Sequence, residues 1–390
     1  MKTLRHWRTS IRGFSLIELM VAMGISMILL AALSSIFAQS ITTREKIDRE
    51  GRKIETARYS LDTLAEDIRL AGYFGNYSPP FASSTPADWK YVDPCSTTGG
   101  SPLPGWNATT SPVQVPFPIF GYEAHGTGSL PAALTACLDN YKTETDVFVV
   151  RRASTTSITA GGTGYVASDT YLQVSSCPDG TVDTQAFHAM STATSTDFNL
   201  HVLGCTSTTP GANASVRKLI TRIYFISQCD DCVNDLDSNV ATTGDGIPTL
   251  KMVELAIPST GGSTLRVVQN VRTIAPGVEN LHLEYGIDTT DDGAVDAYVV
   301  SNEDPRQTGA TGTAVTGMRL DSSTENRWED VMTVKLFLIA RDLQTTAGYT
   351  DTKSFTMGSK TVTAAGDAYR RRLTSSTIKL VNMSGRREVP

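Results

Sequence analysis

Apolar residues run almost without interruption from Phe14 to Ala38. The run has about the length that a helix needs to cross a bilayer core of roughly 30 Å. Its one ionisable residue is Glu18, and a buried acid in a membrane helix costs about 2.5–3.5 kcal/mol on insertion scales unless it finds a partner. The pattern therefore predicts a membrane-spanning helix with one acid whose partner has to be explained.

A second, sparser pattern follows the membrane run and predicts that the helix continues beyond it. Apolar positions recur every seven residues at Ile47, Ile54, Leu61 and Ile68, with Ala57, Leu64 and Ala71 between them. Charged residues that include Glu66 and Asp67 lie outside this narrow apolar seam. Gly72 is expected to end the helix, while Gly24 and Gly51 are positions at which it could bend. The seam is typical of a helix that packs on its own domain or on neighbouring subunits.

The remainder of the chain predicts an α+β fold, in which the long helix packs on a mostly antiparallel sheet with large loop insertions. Residues 73–145 are rich in Pro, Ser and Thr, which break regular elements. Alternating apolar and β-branched positions then predict strands at Asp146–Arg152, Leu219–Ser227, Thr249–Ile257, Leu265–Arg272, Val278–Tyr285, Ala297–Val300, Asp330–Arg341 and Thr377–Asn382.

Charge gives the helix a direction and argues against nucleic acid as a partner. Residues 1–13 carry four basic residues and no acid, which keeps the amino end in the cytoplasm and sends the rest outward. The whole chain has a formal net charge of −6, and without this leader it has 30 basic against 40 acidic residues. A nucleic-acid partner would require a basic face instead.

The junction between leader and apolar run resembles the class III signal of type IV prepilins and pseudopilins. The matching residues are Gly13, Phe14, Ser15, Leu16, Ile17, Glu18 and Leu19. The resemblance implies that a prepilin peptidase cleaves between Gly13 and Phe14 and methylates the new amine of Phe14. It also implies that Glu18 pairs with the Phe amine of a neighbouring subunit during assembly. A plain signal anchor, whose Glu18 reaches the interface, is the alternative.

Later segments resemble the PilW family of minor pilins. They are 65–75, which reads AEDIRLAGYFG, and four later blocks: 245–250, 277–281 with 285–288, 334–341, and 369–372 with 378–382. The resemblance implies a leader at 1–13, a transmembrane and filament-core helix at 14–38, its periplasmic amphipathic half at 39–72, and a β-rich periplasmic domain at 73–390.

Family membership would make the chain a structural subunit of the type IV pilus. The resemblance implies a complex that primes pilus assembly, sits at the tip and presents or supports an adhesin. Implied partners are other minor pilins, the major pilin, a tip adhesin, the prepilin peptidase and the inner-membrane assembly platform. A type II secretion pseudopilin and a surface-binding adhesin domain on a pilin stalk are the alternatives. Enzyme motifs such as a nucleophile elbow or a P-loop do not occur, and no cofactor is expected apart from a possible Ca²⁺ ion.

Six cysteines beyond the membrane run predict disulfides, because an even number in an exported chain favours them. Proximity in sequence suggests the pairs Cys95–Cys137, Cys177–Cys205 and Cys229–Cys232. The last pair could instead be a redox motif or half of a zinc site, although the surrounding sequence favours a loop staple.

An acidic loop follows the predicted strand that ends at Tyr285. Asp288, Thr290, Asp292 and Asp296 have the spacing of Ca²⁺ ligands, and Gly293 occupies the sharp turn of such loops. The bidentate glutamate of an EF-hand is missing, and Asp292-Gly293 is also a common hairpin turn. Both the calcium site and the plain acidic hairpin remain open at this point. Arginines at 370–372 and 386–387 form a basic carboxyl-terminal patch, which is typical of a solvated face.

Overall fold

The computed structural model describes part of the chain, and all structural statements below concern that part. The described residues are 13–77, 88–90, 92, 94–95, 106, 108, 113–123, 130, 134, 138, 140–166, 169–190, 198–232, 244–255, 270–288, 290, 292–300, 328 and 331–384.

The helix α1 is continuous over Leu16–Leu70, as the two apolar patterns predict. Gly24 and Gly51 lie inside it without interrupting it. Past its end, Gly72 adopts a φ of 74°, a conformation that glycine tolerates without steric cost. The side chain of Asn382 donates to the free carbonyl of Ala71 at 3.2 Å. The helix therefore ends where the sequence predicts, with one of its last carbonyls bound by a distant residue.

The chain divides into two compact units, Met1–Arg52 and Lys53–Pro390. The described part of the first unit is helical and exposes its apolar side chains. The second unit holds the remaining turns of α1, the sheets and the hydrophobic core. The strands are β1 (Asp88–Lys90), β2 (Gln114–Pro116), β3 (Ile119–Tyr122), β4 (Val147–Ile158), β5 (Thr170–Val174), β6 (Phe187–Met190), β7 (Val216–Ser227), β8 (Thr249–Glu254), β9 (Asn270–Pro276), β10 (Val278–Ile287), β11 (Ala297–Val299), β12 (Val331–Arg341), β13 (Ser354–Met357), β14 (Lys360–Thr363) and β15 (Arg371–Lys379).

Two antiparallel sheets supply most of the core of the second unit. The first has seven strands in the order β3-β4-β7-β5-β6, and β8 pairs with both β7 and β9. The second has four strands in the order β11-β10-β12-β15. A hairpin, β13–β14, and a short parallel pair, β1–β2, lie outside these sheets. The α+β fold with mostly antiparallel sheet is confirmed.

Strand positions agree with the sequence pattern in the middle of the chain and differ near its end. The predicted strand at Thr377–Asn382 is wrong in extent, because β15 covers Arg371–Lys379 and a short helix, α2 (Val381–Ser384), follows. Most of the predicted strand Leu265–Arg272 lies outside the described residues, and β9 begins at Asn270.

The apolar seam of α1 is buried at its carboxyl end and exposed nearer its amino end. Leu61, Leu64 and Ile68 are buried in the hydrophobic core together with Ala71. Ile47 stays exposed, as does Ile54, although their spacing continues the same seam. Only the carboxyl-terminal turns of the helix therefore pack within the second unit.

Charged residues of α1 are also buried, against the expectation that they lie outside the seam. Asp67 is 3% exposed, and its carboxylate accepts hydrogen bonds from Arg152 Nε at 2.7 Å, Arg222 Nη1 at 3.1 Å and Tyr224 Oη at 2.6 Å. At the start of the second unit, Lys53 Nζ lies 3.1 Å from Asp342 Oδ1, and both side chains are buried. The helix is thus held by ion pairs as well as by apolar contacts.

A buried contact between His282 and Asp146 joins β10 to the loop before β4. His282 Nδ1 lies 2.8 Å from Asp146 Oδ2, and the same carboxylate accepts the backbone amide of Leu283 at 3.0 Å. Burial lowers the pKa of His282, but the bond to Asp146 and the charges of Asp146, Glu123 and Glu284 outweigh it and raise the pKa overall.

We expect this pair to make stability depend on pH. Because the folded pKa of His282 lies above the unfolded value of about 6.5, protonation stabilises the fold fully below that pH. This stabilisation is lost as the pH rises through the folded pKa. The melting temperature of the wild type should therefore exceed that of His282→Gln most at low pH, by a margin that shrinks on raising the pH. A margin that grows with pH would contradict the assignment.

Candidate assembly site on the amino-terminal helix

The start of α1 is capped by its own first residues. Ser15 precedes the first helical residue, and its backbone amide donates to Glu18 Oε2 at 3.0 Å. The amide of Ile17 in turn donates to Ser15 Oγ at 3.3 Å. Ser-x-x-Glu at a helix start forms such a reciprocal pair, known as a capping box, and it satisfies amides that have no partner within the helix.

The capping contacts give Glu18 a local role besides its predicted role in assembly. Backbone amides that face hydrocarbon must find a partner, since water is absent there. Glu18 supplies one such partner while the other carboxylate oxygen remains available to a cation. The Ser-x-x-Glu motif that forms this cap is visible in the sequence, but the resemblance to prepilins assigns Glu18 only to assembly.

The helix presents its apolar residues outward around the site. Phe14 is 90% exposed, and the side chains from Leu16 to Phe37 are exposed as well. Within the described residues, α1 is long and apolar enough to cross a membrane by length and composition. An amine created at Phe14 would lie one helical turn before Glu18, at the same end of this apolar surface.

Comparison with known families supports the reading of both ends of the chain. Residues 8–34 match the prokaryotic N-terminal methylation motif, and residues 224–382 match the family described as Type IV Pilus-assembly protein W (PilW). These matches confirm the resemblance to PilW-type pilins. The chain is thus similar to PilW-type pilins over residues 224–382 and carries the methylation motif at its amino end. No curated protein matches the chain.

The PilW match covers the part of the chain that holds β8 to β15 and the last four residues of β7. Four of the blocks that resemble PilW sequences fall inside this range, while the block at 65–75 lies before it. Among solved structures, a type IV-like pilin, TTHA1219 from Thermus thermophilus, is 11% identical and covers 42% of this chain and 79% of its own, with a TM-score of 0.19.

Two predicted disulfides are present in the second unit. Cys177 is bonded to Cys205, and Cys229 is bonded to Cys232. The second bond closes a turn directly after β7, as expected of a loop staple. Cys95 is buried, and Cys137 lies outside the described residues, so the third pair stays a prediction.

The predicted calcium loop is organised by its own backbone. Asp288 is fully buried, and its two carboxylate oxygens accept the amides of Thr290 at 3.2 Å and Gly293 at 2.9 Å. Asp292 accepts the amide of Ala294 at 2.8 Å, and Asp296 accepts both the amide and the hydroxyl of Thr290. Thr289 and Asp291 lie outside the described residues. No group of three or more His, Cys, Asp or Glu residues that could hold a metal occurs in the part of the chain described.

These contacts favour the acidic hairpin over the calcium site, which remains a prediction to be tested. We expect titration calorimetry of Ca²⁺ into the full-length chain to give no saturable heat, because the loop carboxylates already bind backbone amides. Asp288→Ala should still lower the melting temperature, since the amide of Gly293 loses its acceptor and the amide of Thr290 keeps only Asp296. A saturable heat that Asp288→Ala abolishes would instead establish the calcium site.

Proposed function

We propose that this chain is a PilW-type minor subunit of a type IV pilus, acting in the complex that primes pilus assembly. After priming, the complex would sit at the filament tip and present or support an adhesin. The observation that carries the proposal is the pairing of a prepilin motif at residues 8–34 with a PilW match at residues 224–382 in one chain.

The proposed mechanism begins in the membrane. The basic leader holds the amino end in the cytoplasm, α1 crosses the inner membrane, and the second unit folds in the periplasm. A prepilin peptidase then cleaves between Gly13 and Phe14 and methylates the new amine. The subunit now carries a positive amine at Phe14 and a carboxylate at Glu18.

Docking into the growing filament would then be driven by charge pairing and by the exposed apolar surface of α1. A carboxylate without a partner in lipid is costly. Pairing of Glu18 with the Phe amine of a neighbouring subunit would therefore lower the free energy of the docked subunit. The exposed seam residues Ile47 and Ile54 can pack on neighbouring helices. The second unit stays outside the filament core and is available to other minor pilins and an adhesin.

Affinity capture tests the complex directly. The full-length chain, carrying a carboxyl-terminal tag, is expressed in its native host and purified in a mild detergent. We expect the other minor pilins and the tip adhesin to co-purify in defined proportions. Recovery of the chain with none of them would overturn the priming-complex proposal, and recovery with secretion-system pseudopilins alone would favour the type II secretion alternative.

A further inference from the structure

A polar pocket of about 510 Å³ lies at one end of the four-stranded sheet, in the second unit. It is bounded by β10, β12, the β13–β14 hairpin and the turns at 142–144 and 246–248. Its described polar lining includes Lys142, Asn280 and Arg341, and its apolar lining includes Ile339, Phe355 and Val362. We call it the Arg341 pocket. Its volume falls within the range of roughly 300–1,000 Å³ that is usual for ligand sites.

Two contacts fix the guanidinium of Arg341, and some of its N–H groups still lack a hydrogen-bond acceptor among the described residues. Its Nη2 donates to the carbonyl of Gly246 at 2.7 Å, and its guanidinium lies over the ring of Tyr369 at 4.2 Å. Its buried Nε has no hydrogen-bond partner among the described residues, and Nη1 lies 3.8 Å from Glu279, beyond hydrogen-bond distance. A guanidinium fixed in this way can offer a planar edge to an acceptor.

The carboxylate nearest to Arg341 is already occupied. Glu279 accepts two hydrogen bonds from Arg371, at 2.5 and 3.1 Å. Arg371 also donates to Asp367 and is buried, unlike the exposed Arg372, so the expectation of a solvated patch is wrong for Arg371. Glu279 therefore accepts its hydrogen bonds from Arg371, and it acts on Arg341 and Lys142 only as a nearby charge.

Lys142 and Asn280 supply two more polar groups that lack a hydrogen-bond partner among the described residues. The ammonium of Lys142 has neither a hydrogen bond nor an ion pair within the described part of the chain, and burial is the main cause of its lowered pKa, ahead of the opposing charge of Glu279. Asn280 is 6% exposed, and its Oδ1 has no hydrogen-bond partner among the described residues. The pocket thus offers the cationic groups of Lys142 and Arg341 and the buried amide oxygen of Asn280, beside the carboxylates of Glu144 and Glu279.

A carboxyl-terminal peptide has the chemistry that complements these groups. Its terminal carboxylate can accept from Lys142 and Arg341, and the amide N–H of its last residue lies close enough to that carboxylate to reach Asn280 Oδ1. An apolar last side chain would contact Phe355 and Val362. We propose that the Arg341 pocket binds the carboxyl-terminal residues of a partner protein. This site is independent of the helix-mediated assembly proposed above.

Fluorescence anisotropy of labelled peptides tests the proposal on the full-length chain in dodecyl maltoside. The probes are amino-terminally fluorescein-labelled tripeptides that end in Ala, Val, Leu or Phe, each made as the free acid and as the amide. We expect at least one free acid to bind saturably. The corresponding amide should bind at least about tenfold more weakly, because its charge-assisted hydrogen bonds are lost. Lys142→Gln should weaken binding of the acid by about tenfold.

Matched variants distinguish a direct loss of peptide binding at the pocket from a general loss of folding stability. Lys353→Gln makes the same change at an exposed position outside the pocket and should bind as the wild type does. Arg341→Lys keeps the charge but not the fork, so it should weaken binding without lowering the melting temperature as much as Arg341→Ala. Equal affinity for acid and amide, wild-type affinity in Lys142→Gln, or no saturable binding up to about 1 mM peptide would overturn the proposal.

Discussion

Replacing Asp67 by alanine is expected to destabilise the second unit by about 3 kcal/mol. The change removes the acceptor of Arg152, Arg222 and Tyr224 and leaves one of the arginines buried without a carboxylate. Arg222 keeps its pairing with Glu254 at 2.9 Å, so the expected loss stays at the lower end for a buried pair. Thermal unfolding followed by circular dichroism should show a melting temperature lower by roughly 4 °C.

The neighbouring glutamate provides the matched control. Glu66 lies on the same turn of α1 and is exposed, so Glu66→Ala removes a carboxylate of the same charge with an expected change of about 0.5 kcal/mol or less. Tyr224→Phe should fall between the two, because it removes one hydrogen bond of the cluster and leaves both arginines paired. Equal melting temperatures for Asp67→Ala and Glu66→Ala would contradict the role given to this cluster.

Glu18→Ala is expected to lower incorporation of the chain into pili by roughly 100-fold while leaving insertion and cleavage intact. The estimate follows from the cost of an acid in lipid, which the proposed pairing with a Phe amine would relieve. The measurement compares the amount of the chain in sheared pili with the amount in membranes. Mass spectrometry of the mature amino terminus at Phe14 checks cleavage and methylation in the same samples.

A glutamine at this position separates the two roles of Glu18. Glu18→Gln keeps a side-chain oxygen that can accept the amide of Ser15, at 3.0 Å in the wild type, but it removes the charge. If charge pairing drives docking, Glu18→Gln should fail as severely as Glu18→Ala. Normal incorporation of Glu18→Gln alongside failure of Glu18→Ala would show that the capping contact matters and the charge does not.

The sequence predicts elements whose hydrophobic period is regular. Twenty-five consecutive, almost wholly apolar residues and a seven-residue seam are sufficient to predict α1 to its end at Leu70, and alternation finds the long central strands. Short strands such as β13 and β14 carry too few alternating positions for this signal. Residues 377–382 look like a strand throughout, but the last of them belong to α2, where Asn382 binds carbonyls at the end of α1.

Buried charges could not be predicted, because their burial depends on partners that are distant in sequence. Asp67 is polar and adjacent to the exposed Glu66, and nothing local shows that Arg152 and Arg222 will meet it. Lys53 finds Asp342 in the same way, and Arg371 finds Glu279. The Arg341 pocket is likewise built from segments far apart along the chain, so no motif marks it.

The candidate assembly site shows the opposite case, in which nearly all the information is local. Gly13, Phe14 and Glu18 are recognisable by their order alone, and the capping box is a short motif as well. The acidic loop at 288–296 shows the limit of such local reading. One spacing fits both a calcium site and a hairpin, and only the backbone contacts of Asp288 favour the second.

Counting surface pili in a strain that lacks this chain tests the central claim most directly. The strain is compared with the same strain carrying the wild-type gene, and major pilin in sheared fractions is measured beside total major pilin. A subunit that primes assembly predicts loss of sheared pilin with unchanged total pilin, restored by the wild-type gene. Normal pilus numbers in the deletion strain, together with a loss of adhesion, would contradict priming and favour the surface-binding alternative.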